Sequence, residues 1–366
     1  MDIKSKSRIL EILKKSLSIE LNFFVWEPLS KRGSQREFFR LRMPDGSSFI
    51  VILYDPDRTE NRYYADICDF LKNIGIKVPS IIFRLDEENI LVLEDLGDMD
   101  LYSLRSISWE KRRIYYHKTI DEVSKLHNYP IETINERVKL QAPFDEGLYR
   151  WERAYFIENF VEKLVGLKLE EKFYKELEQE FERLTFNLFQ TPKCLIHRDL
   201  QSQNVMVKGE DVYLIDFQGM RIGNPFYDLG SLVFDAYVSF SQSERQELID
   251  AYLEISNFNL SKEEALYAIT YASTQRLMQA LGAFSYLSLV AGLSDFQRFI
   301  PQALENLSFL LDFLDYMKRL RELIEKCRET LIAKEVDFSK TVHLMARPAR
   351  IRNGKKSMDG IKPKTE

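Results

Sequence analysis

The sequence predicts an α+β protein in which a small, strand-rich N-terminal part precedes a larger and mostly helical part. Two observations predict this division. Short alternating or continuous apolar runs dominate the chain up to Leu96, and the 3.6-residue helical period dominates after it. We therefore expect one lobe over residues 1–97, a second over residues 98–335, and a basic, disordered tail over residues 336–366.

The N-terminal part contains four segments with the patterns of strands. Glu37–Met43 alternates between apolar and basic side chains, and Ser48–Tyr54 is a continuous apolar run typical of a strand covered on both faces. The turn sequence PDG separates them. A helical pattern over Asp57–Gly75 follows and ends at a glycine. Two more strand patterns come next, in SIIFRL and NILVLEDLG.

The second part is dominated by apolar residues at helical spacing. Tyr116, Ile120, Val123 and His127, for example, fall on one stripe of a predicted helix. The predicted helical segments are Trp109–Asn128, Phe144–Leu167, Leu169–Leu188, Ser243–Ile255, Lys262–Val290 and Ile300–Ile332. Two short strands, in CLIH and DVYLIDF, interrupt them between the third and the fourth and carry polar residues.

Composition and charge narrow the classes of function. A formal net charge of −5 disfavours a nucleic-acid binder, which needs a basic face. The cysteines Cys68, Cys194 and Cys327 show no C-x-x-C spacing, so neither a disulfide framework nor a zinc site is expected. The N-terminus has the pattern of an amphipathic helix rather than of a signal peptide. The uncharged stretch Ala280–Leu293 is shorter than the ~20 residues of a membrane span, and we expect a buried helix there. These features predict a cytoplasmic protein without a membrane span.

The segment HRDLQSQN carries the strongest chemical signal in the chain. His197-Arg198-Asp199 followed by Asn204 matches the H-R-D-x-x-x-x-N catalytic loop of kinases. In that loop the aspartate accepts or orients the proton of the substrate hydroxyl, and the asparagine oxygen binds Mg²⁺. The strand in DVYLIDF then delivers Asp216, whose carboxylate suits the same ion, since Mg²⁺ takes few protein ligands and prefers oxygen.

These residues also have other interpretations. HRD alone could be a chance tripeptide, but its combination with the asparagine and the apolar strand ending in Asp-Phe favours phosphoryl transfer. His197 is expected to be structural, because Asp199 fills the role of base. Asp228 could be the N-cap of the following helix, or could brace the catalytic loop by accepting backbone N–H bonds. Either role would be structural support.

The chain resembles the aminoglycoside phosphotransferase and choline kinase group. The residues that carry the resemblance are KLHN at Lys125–Asn128, HRDLQSQN, and LIDFQGMRIGNPFYDLGSL. The sequence D-F-Q in place of D-F-G, with no A-P-E element, argues against a protein kinase. Within the group the chain is most similar to bacterial anomeric kinases of N-acetylmuramate and N-acetylglucosamine, over roughly Ser30 to Leu310. The resemblance implies a protein-kinase-like bilobal fold and the use of ATP and Mg²⁺.

The resemblance also implies roles for particular residues. Glu94–Leu96 would form the hinge that contacts adenine through backbone groups. Asp199 would be the catalytic base, with Asn204 and Asp216 on the metal. The loop that covers the phosphates would consist of Gly33, Ser34, Gln35 and Arg36. The polar candidates for gripping sugar hydroxyls are Arg150, Glu152, Arg153, Gln275 and Arg276, each of which could instead be a solvated helix residue.

Two departures from the kinase pattern concern the nucleotide. Kinases place a lysine on the third strand to pair the α- and β-phosphates, but Ser48–Tyr54 contains none. Arg36, Arg40 or Lys31 could supply the charge, or Mg²⁺ could carry more of it. The phosphate loop also has Gly33 as its single glycine, where a protein kinase has several.

Three functional hypotheses follow. The first is ATP-dependent phosphorylation of a sugar hydroxyl, plausibly the anomeric hydroxyl of N-acetylmuramate or N-acetylglucosamine in cell-wall recycling. The second is a kinase for an aminoglycoside, choline or another small alcohol, for which the acidic and aromatic residues near Asp145–Tyr155 could line a site for a cation. The third is a pseudokinase that binds nucleotide without turnover. The basic tail could be solvated or could form a phosphate- or membrane-directed patch, and the oligomeric state stays open.

Overall fold

The structure is a computed structural model that describes residues 3–17, 24–29, 36–134 and 138–334. Its contacts divide the chain into two compact units. Unit 1 holds the described residues up to Pro143 together with Cys194–Ile222, and unit 2 holds Phe144–Lys193 together with the described residues from Gly223 onward. The segment HRDLQSQN therefore belongs to the unit that contains the N-terminal sheet. The predicted lobes 1–97 and 98–335 are a different division and stay a prediction, and the tail 336–366 lies outside the described residues.

Unit 1 is built on a five-stranded antiparallel sheet with the order β1-β2-β3-β5-β4. Helix α1 precedes it and helix α2 connects its third and fourth strands. The elements are α1 (Ile3–Leu17), β1 (Val25–Pro28), β2 (Glu37–Arg42), β3 (Ser48–Leu53), α2 (Thr59–Asn73), β4 (Ile81–Leu85) and β5 (Ile90–Glu94). The predicted strands and the predicted helix between them are confirmed.

The sheet and α1 share an apolar core. Ile9 and Leu13 lie one helical turn apart on α1 and are fully buried. Leu41, Val51 and Val92, on three adjacent strands, belong to the same buried cluster. Burial of each such side chain stabilises the fold by roughly 1.5–3 kcal/mol. The amphipathic N-terminal helix predicted from the sequence is therefore a structural part of unit 1.

The rest of unit 1 is one long helix and two small strand pairs. These elements are α3 (Trp109–His127), β6 (Cys194–Ile196), β7 (Val205–Lys208), β8 (Asp211–Leu214) and β9 (Arg221–Gly223). β6 pairs with β9, and β7 pairs with β8 in an antiparallel hairpin that turns at Gly209, whose φ of +64° suits glycine. Only β6 and β8 were predicted. The predicted stripe of α3 is buried, including His127.

Unit 2 is helical. Its elements are α4 (Glu146–Phe156), a π-helical segment Ile157–Val165, α5 (Glu171–Phe189), α6 (Pro225–Val233), α7 (Gln242–Ile255), α8 (Lys262–Leu289), α9 (Ile300–Leu311) and α10 (Lys318–Ala333). Helix α8 begins at a capping box, in which Ser261 and Glu264 satisfy each other's backbone N–H groups. It packs against α4, α6 and α9. None of the described helices is long and apolar enough to cross a membrane.

Two expectations about these helices were wrong. The predicted segment Ile300–Ile332 is two helices, because residues 312–317 form turns between α9 and α10. Leu314 and Met317 are buried in this connection and continue the apolar pattern, so periodicity does not reveal the break. The stretch Ala280–Leu293 is buried only in part, since Leu289 is 48% exposed and Val290 is 56% exposed.

Candidate active site

The loop after β6 carries His197, Arg198 and Asp199 in a constrained conformation. His197 is 1% exposed. Its Nδ1 accepts from the N–H of Asp199 at 3.3 Å, and its Nε2 lies 3.0 Å from the carbonyl oxygen of Ile215, within hydrogen-bond distance. The histidine thus joins the loop to the end of β8, which is a structural role. Arg198 has a φ of +80°, and its Nη1 donates to Asp199 Oδ2 at 2.6 Å.

Asn204 is held by two hydrogen bonds, one from its side-chain nitrogen and one to its backbone carbonyl. Its Nδ2 donates to the carbonyl oxygen of Asp199 at 2.9 Å, and its backbone carbonyl accepts from the N–H of Ile215 at 3.0 Å. The nitrogen of the amide is thereby fixed, and Oδ1 points away from the bond to Asp199. An oxygen donor in this position suits a hard cation.

Asp216 follows β8 and is oriented by two side chains. It has a φ of +63°, and Gln218 Nε2 donates to its Oδ1 at 2.8 Å. Arg36, which directly precedes β2, forms an ion pair with the same oxygen of Asp216. The neighbouring Phe217 is fully buried and lies against Tyr64 of α2, with 4.7 Å between ring centroids. The carboxylate of Asp216 is therefore placed by packing as well as by hydrogen bonds.

Unit 1 contains a cavity of about 290 Å³ that brings several predicted residues together. Its volume is near the lower end of small-ligand sites. The predicted residues on its wall are Arg36, Glu94, Leu96, Asn204 and Asp216. Gly33, Ser34 and Gln35 lie outside the described residues, so the phosphate loop stays a prediction.

The remaining wall of the cavity is mostly apolar. The side chains that contribute are Leu29, Phe38, Ile50, Ile52, Tyr64, Pro79, Leu93, Met206 and Ile215. Burial raises the pKa of the Tyr64 phenol, which is therefore neutral at physiological pH. Mostly apolar walls with a few polar groups are typical of a site for a small molecule.

The predicted hinge segment, Glu94–Leu96, lines the cavity and is held by salt bridges. Glu94 accepts from Lys208 Nζ at 2.8 Å and from the N–H of Ser80 at 3.2 Å. Burial acts to raise the pKa of Glu94, but the hydrogen bonds from Lys208 and Ser80 outweigh it and hold the pKa below its usual range. The Glu94 side chain is thus engaged by the protein, and contact between the backbone of this segment and a ligand stays a prediction.

Asp95, the middle residue of this hinge, has a similar arrangement. Its Oδ2 accepts from Arg40 Nε at 2.6 Å and from Ser48 Oγ at 2.7 Å, and its Oδ1 accepts from the N–H of Gly97. Burial acts to raise the pKa of Asp95, but the hydrogen bonds from Arg40, Ser48 and Gly97 outweigh it and lower the pKa. The hinge is therefore rigidly joined to β2 and β3.

The donor set of this site fits Mg²⁺ only together with a ligand. Within the described part of the chain, no group of three or more His, Cys, Asp or Glu side chains is placed to hold a metal. Of the predicted metal ligands, the cavity offers one carboxylate, on Asp216, and one amide oxygen, on Asn204. The carboxylates of Glu94, Asp95 and Asp98, which also line the cavity, are paired with basic side chains. Mg²⁺ usually keeps several waters and binds through one or two carboxylates plus substrate phosphates, so this small set is compatible with it.

Four of the five residues proposed for sugar binding lie in the interior of unit 2. Glu152 and Gln275 are fully buried, and Arg153 and Arg276 are no more than 6% exposed. Arg150 lies on the surface and pairs with Glu146 one turn away. In this conformation only Arg150 presents its side chain to solvent.

Glu152 is the centre of a buried hydrogen-bond network. Its Oε1 accepts from Tyr227 Oη at 2.9 Å and its Oε2 accepts from Gln275 Nε2 at 3.0 Å. Arg276 donates to Ser231 Oγ at 3.2 Å, which joins α8 to α6. These contacts give the side chains a structural role between α4, α6 and α8. Direct contact between them and a sugar stays a prediction.

Arg153 has a separate buried environment. Its Nη1 donates to the carbonyl oxygen of Phe181 at 2.9 Å, and its guanidinium lies 5.2 Å from the centroid of the Phe181 ring. Burial lowers the pKa of Arg153 to about 10, so the side chain is still a cation at neutral pH.

The interpretation of Asp228 as an N-cap was wrong. Helix α6 begins at Asn224, whose side chain accepts from the N–H of Phe226 at 2.9 Å, with Pro225 in the first turn. Asp228 lies inside the helix and is fully buried. A proline after asparagine is a helix-start signal that the sequence contained. The proposed bracing of the catalytic loop by Asp228 stays a prediction.

Gln218 is a site residue that sequence reasoning noted without assigning it a role. Gln218 is 7% exposed. Its Nε2 donates to Asp216, whereas its Oε1 has no hydrogen-bond partner among the described residues. The substitution of D-F-Q for D-F-G was visible in the sequence. That the glutamine turns back onto the aspartate depends on the turn at Phe217–Gly219, which the sequence does not specify.

The family follows from a comparison with known protein families. Residues 25–266, more than half of the 366-residue chain, match the model of the phosphotransferase enzyme family. This chain belongs to that family. The matched range includes the cavity residues from Leu29 to Asp216, so membership agrees with the site that the geometry describes. The chain is a phosphotransferase, as HRDLQSQN predicted.

Two curated relatives in this family share a name. The chain is 26% identical over 298 residues to "N-acetylmuramate/N-acetylglucosamine kinase" of Neisseria meningitidis serogroup B, covering 78% of this chain and 82% of the relative. It is 23% identical to the protein of the same name from Pseudomonas aeruginosa, covering 70% of this chain and 75% of the relative. The predicted similarity to amino-sugar kinases is confirmed.

Solved structures of other members of the phosphotransferase group share the fold. The ADP-bound aminoglycoside phosphotransferase APH(2'')-Ib aligns with a TM-score of 0.56 at 16% identity, covering 84% of this chain and 99% of that one. The choline kinase LicA from Streptococcus pneumoniae aligns with a TM-score of 0.56 at 16% identity, covering 82% and 99%. The predicted kinase-like α+β fold is confirmed.

Proposed function

We propose that this phosphotransferase is an ATP-dependent kinase that phosphorylates the anomeric hydroxyl of N-acetylmuramate or N-acetylglucosamine. One observation carries the kinase part: Asn204 and Asp216 meet at the wall of a mostly apolar cavity, and Asn204 is bonded to the loop of Asp199. The names of the curated relatives support the acceptor.

Each residue of the site has a defined task in this proposal. The apolar wall and the backbone of Glu94–Leu96 bind adenine, which places the phosphates toward Asp216. Asn204 and Asp216 would hold Mg²⁺, which supplies neutralisation of charge on the phosphates when bound. His197 keeps the loop in register with β8 through its bonds at both ring nitrogens. The protein's contribution to catalysis is largely positioning.

The reaction is a single displacement at phosphorus. The anomeric oxygen attacks the γ-phosphorus and forms a new P–O bond, while the bond from that phosphorus to the β–γ bridging oxygen breaks and ADP leaves. The proton of the hydroxyl passes to the carboxylate of Asp199. Arg198 donates to one oxygen of that carboxylate and so fixes which oxygen faces the acceptor.

A phosphate-transfer panel tests the proposal. We expect phosphate to move from ATP to N-acetylmuramate or N-acetylglucosamine, and the product to show an anomeric phosphate by ³¹P NMR. The methyl glycoside of N-acetylglucosamine, in which the anomeric oxygen is blocked, is the matched control and should accept none.

The same panel separates the other hypotheses. Transfer to an aminoglycoside or to choline, with none to either amino sugar, would show that the protein is a kinase with a different acceptor. Absence of transfer to every acceptor, with nucleotide bound, would favour the nucleotide-binding pseudokinase.

A further inference from the structure

The cavity lacks a cation on the strand where kinases supply one. Kinases place a lysine on the third strand for the phosphates and pair it with a glutamate on the following helix. Here β3 faces the cavity with Ile50 and Ile52, and α2 faces it with Tyr64. The cavity residues from β3 and α2 therefore carry no charge, and the phosphates need another cation.

Arg36 lies where that cation is needed. It lines the cavity, and its side chain is only 11% exposed. Its guanidinium forms an ion pair with Asp216 Oδ1 and lies 5.5 Å from the centroid of the Phe38 ring. A charge this close to the carboxylate that would hold the metal is also close to the phosphates that the metal would bridge.

Arg40 is committed elsewhere. Its guanidinium contacts Asp95 at 2.6 Å and Asp98 at 2.8 Å, and donates to the carbonyl oxygen of Gly97 at 3.2 Å. Two carboxylates already neutralise its charge, and these bonds hold the hinge to β2. Lys31, the other basic residue considered from the sequence, lies outside the described residues. Of the two described cations that line the cavity, Arg36 is therefore the one placed for the phosphates.

We propose that Arg36 binds the phosphates of the nucleotide in place of the missing strand lysine. Before nucleotide binds, its ion pair keeps the Asp216 carboxylate compensated. When nucleotide binds, the planar guanidinium, with its several N–H donors, turns to phosphate oxygens, for which its geometry is well suited. Asp216 is then released to the metal. This inference rests on the proposed use of ATP, and it names the residue that replaces the lysine.

Nucleotide binding measured by calorimetry tests the assignment without relying on activity. ADP and adenosine share the base and the ribose but differ in the phosphates, so a phosphate contact affects ADP alone. We expect Arg36→Ala to weaken ADP binding about 10- to 100-fold, the value of a charge-assisted hydrogen bond, and to leave adenosine within about twofold. The loss should be larger in EDTA than with Mg²⁺, since no metal then shares the charge.

Arg42→Ala is the matched control. Arg42 is the last residue of β2, the strand that follows Arg36 directly, and it is 51% exposed and pairs with Glu27. Its removal should change the binding of neither ADP nor adenosine. Arg36→Gln and Arg36→Lys are measured as well, because Arg36→Ala could weaken ADP binding through a folding defect. The lysine variant should keep most of the preference for ADP over adenosine, and the glutamine variant should lose it.

Three results would overturn the assignment. ADP affinity in Arg36→Ala equal to that of the parent would show that Arg36 does not contact phosphate. An equal loss for adenosine would make Arg36 a support of the pocket. Failure of the parent itself to bind ADP would remove both this inference and the proposed use of ATP, whereas normal ADP binding without amino-sugar phosphorylation would remove the proposed acceptor alone.

Discussion

Two residues at the site, Arg198 and Asp216, hold backbone conformations that residues other than glycine rarely adopt. Their φ angles are +80° and +63°. Such conformations cost of order 1–3 kcal/mol each and persist where the surroundings enforce them. At Asp216 the enforcement is visible: Phe217 is buried against Tyr64 and Gln218 bonds to the carboxylate. These conformations lower the stability of the fold, and they place the side chains of Arg198 and Asp216 at the site.

Gln218→Leu should separate activity from stability. The leucine has a similar volume and removes the buried Oε1, which has no partner among the described residues, so the free energy of unfolding should stay the same or rise by about 1 kcal/mol. The donor to Asp216 is lost at the same time, and we expect kcat to fall about 10-fold. Urea unfolding and steady-state kinetics measure the two effects. A loss of stability with full activity would contradict the assigned role.

The lowered pKa of Asp95 predicts that the stability of the protein depends on pH, and it determines the direction of that dependence. A carboxylate with a lower pKa in the folded state stabilises the fold above its unfolded pKa, about 3.8, and the stabilisation is lost as the pH falls through the folded value. Asp95→Asn should therefore be less stable at pH 7 by about 1–2 kcal/mol and should lose less on acidification. Urea unfolding between pH 7 and pH 3 tests this. If the free energy of unfolding falls equally steeply with pH in the two proteins, Asp95 does not contribute to the pH dependence of stability.

At the scale of elements, α8 packs so closely on its neighbours that glycine is required. A Cβ on Gly282 would lie 3.0 Å from the carbonyl oxygen of Tyr155 and 3.1 Å from the Cα of Phe156, both backbone atoms of the facing helix. Gly→Ala inside a helix normally stabilises by up to about 1 kcal/mol, because alanine has the higher helix propensity. The direction of the effect therefore reports whether the close approach exists.

Gly282→Ala should destabilise the protein by about 1–3 kcal/mol, since the backbone of the facing helix cannot yield as a side chain can. Gly147→Ala is the control, because Gly147 is exposed near the start of α4 and a Cβ there would approach only the side chain of Asp145. Thermal or urea unfolding measures both. A stabilised Gly282→Ala variant would show that α4 and α8 are further apart than described.

The network around Glu152 gives a second prediction at this scale. Glu152→Ala would leave the Tyr227 hydroxyl and the Gln275 amide without their acceptor in the interior, which should cost about 2–4 kcal/mol of unfolding free energy. Arg150→Ala, two residues before Glu152 and on the surface, should change stability by less than about 0.5 kcal/mol. An unchanged stability of Glu152→Ala with a raised KM for the sugar would instead support direct sugar binding.

At the scale of the whole molecule, the sequence predicted the chemistry better than the architecture around it. Asn204 and Asp216 were expected at one site because phosphoryl transfer needs few residues and their spacing along the chain is fixed by one loop and one strand, and both line the same cavity. Their roles, and that of Asp199, stay predictions. The strands of unit 1 were predictable because each has its own apolar pattern. The placement of Cys194–Ile222 with unit 1 depends on contacts distant in sequence, which local patterns do not contain.

The errors have a common physical origin. The break between α9 and α10 leaves the apolar period intact, because Leu314 and Met317 are buried in the turn. The uncharged stretch Ala280–Leu293 predicted a buried helix, but Leu289 and Val290 near its end are 48% and 56% exposed. In each case the deciding interactions are tertiary.

The central claim is that Asp199 is the base of a phosphotransferase site that binds nucleotide independently of it. The most direct test compares ATP-dependent amino-sugar phosphorylation and ADP affinity in the parent and in Asp199→Ala. We predict that kcat falls at least about 100-fold, the usual contribution of a general base, while ADP affinity stays within about threefold. Equal phosphorylation rates in the two proteins would contradict the account.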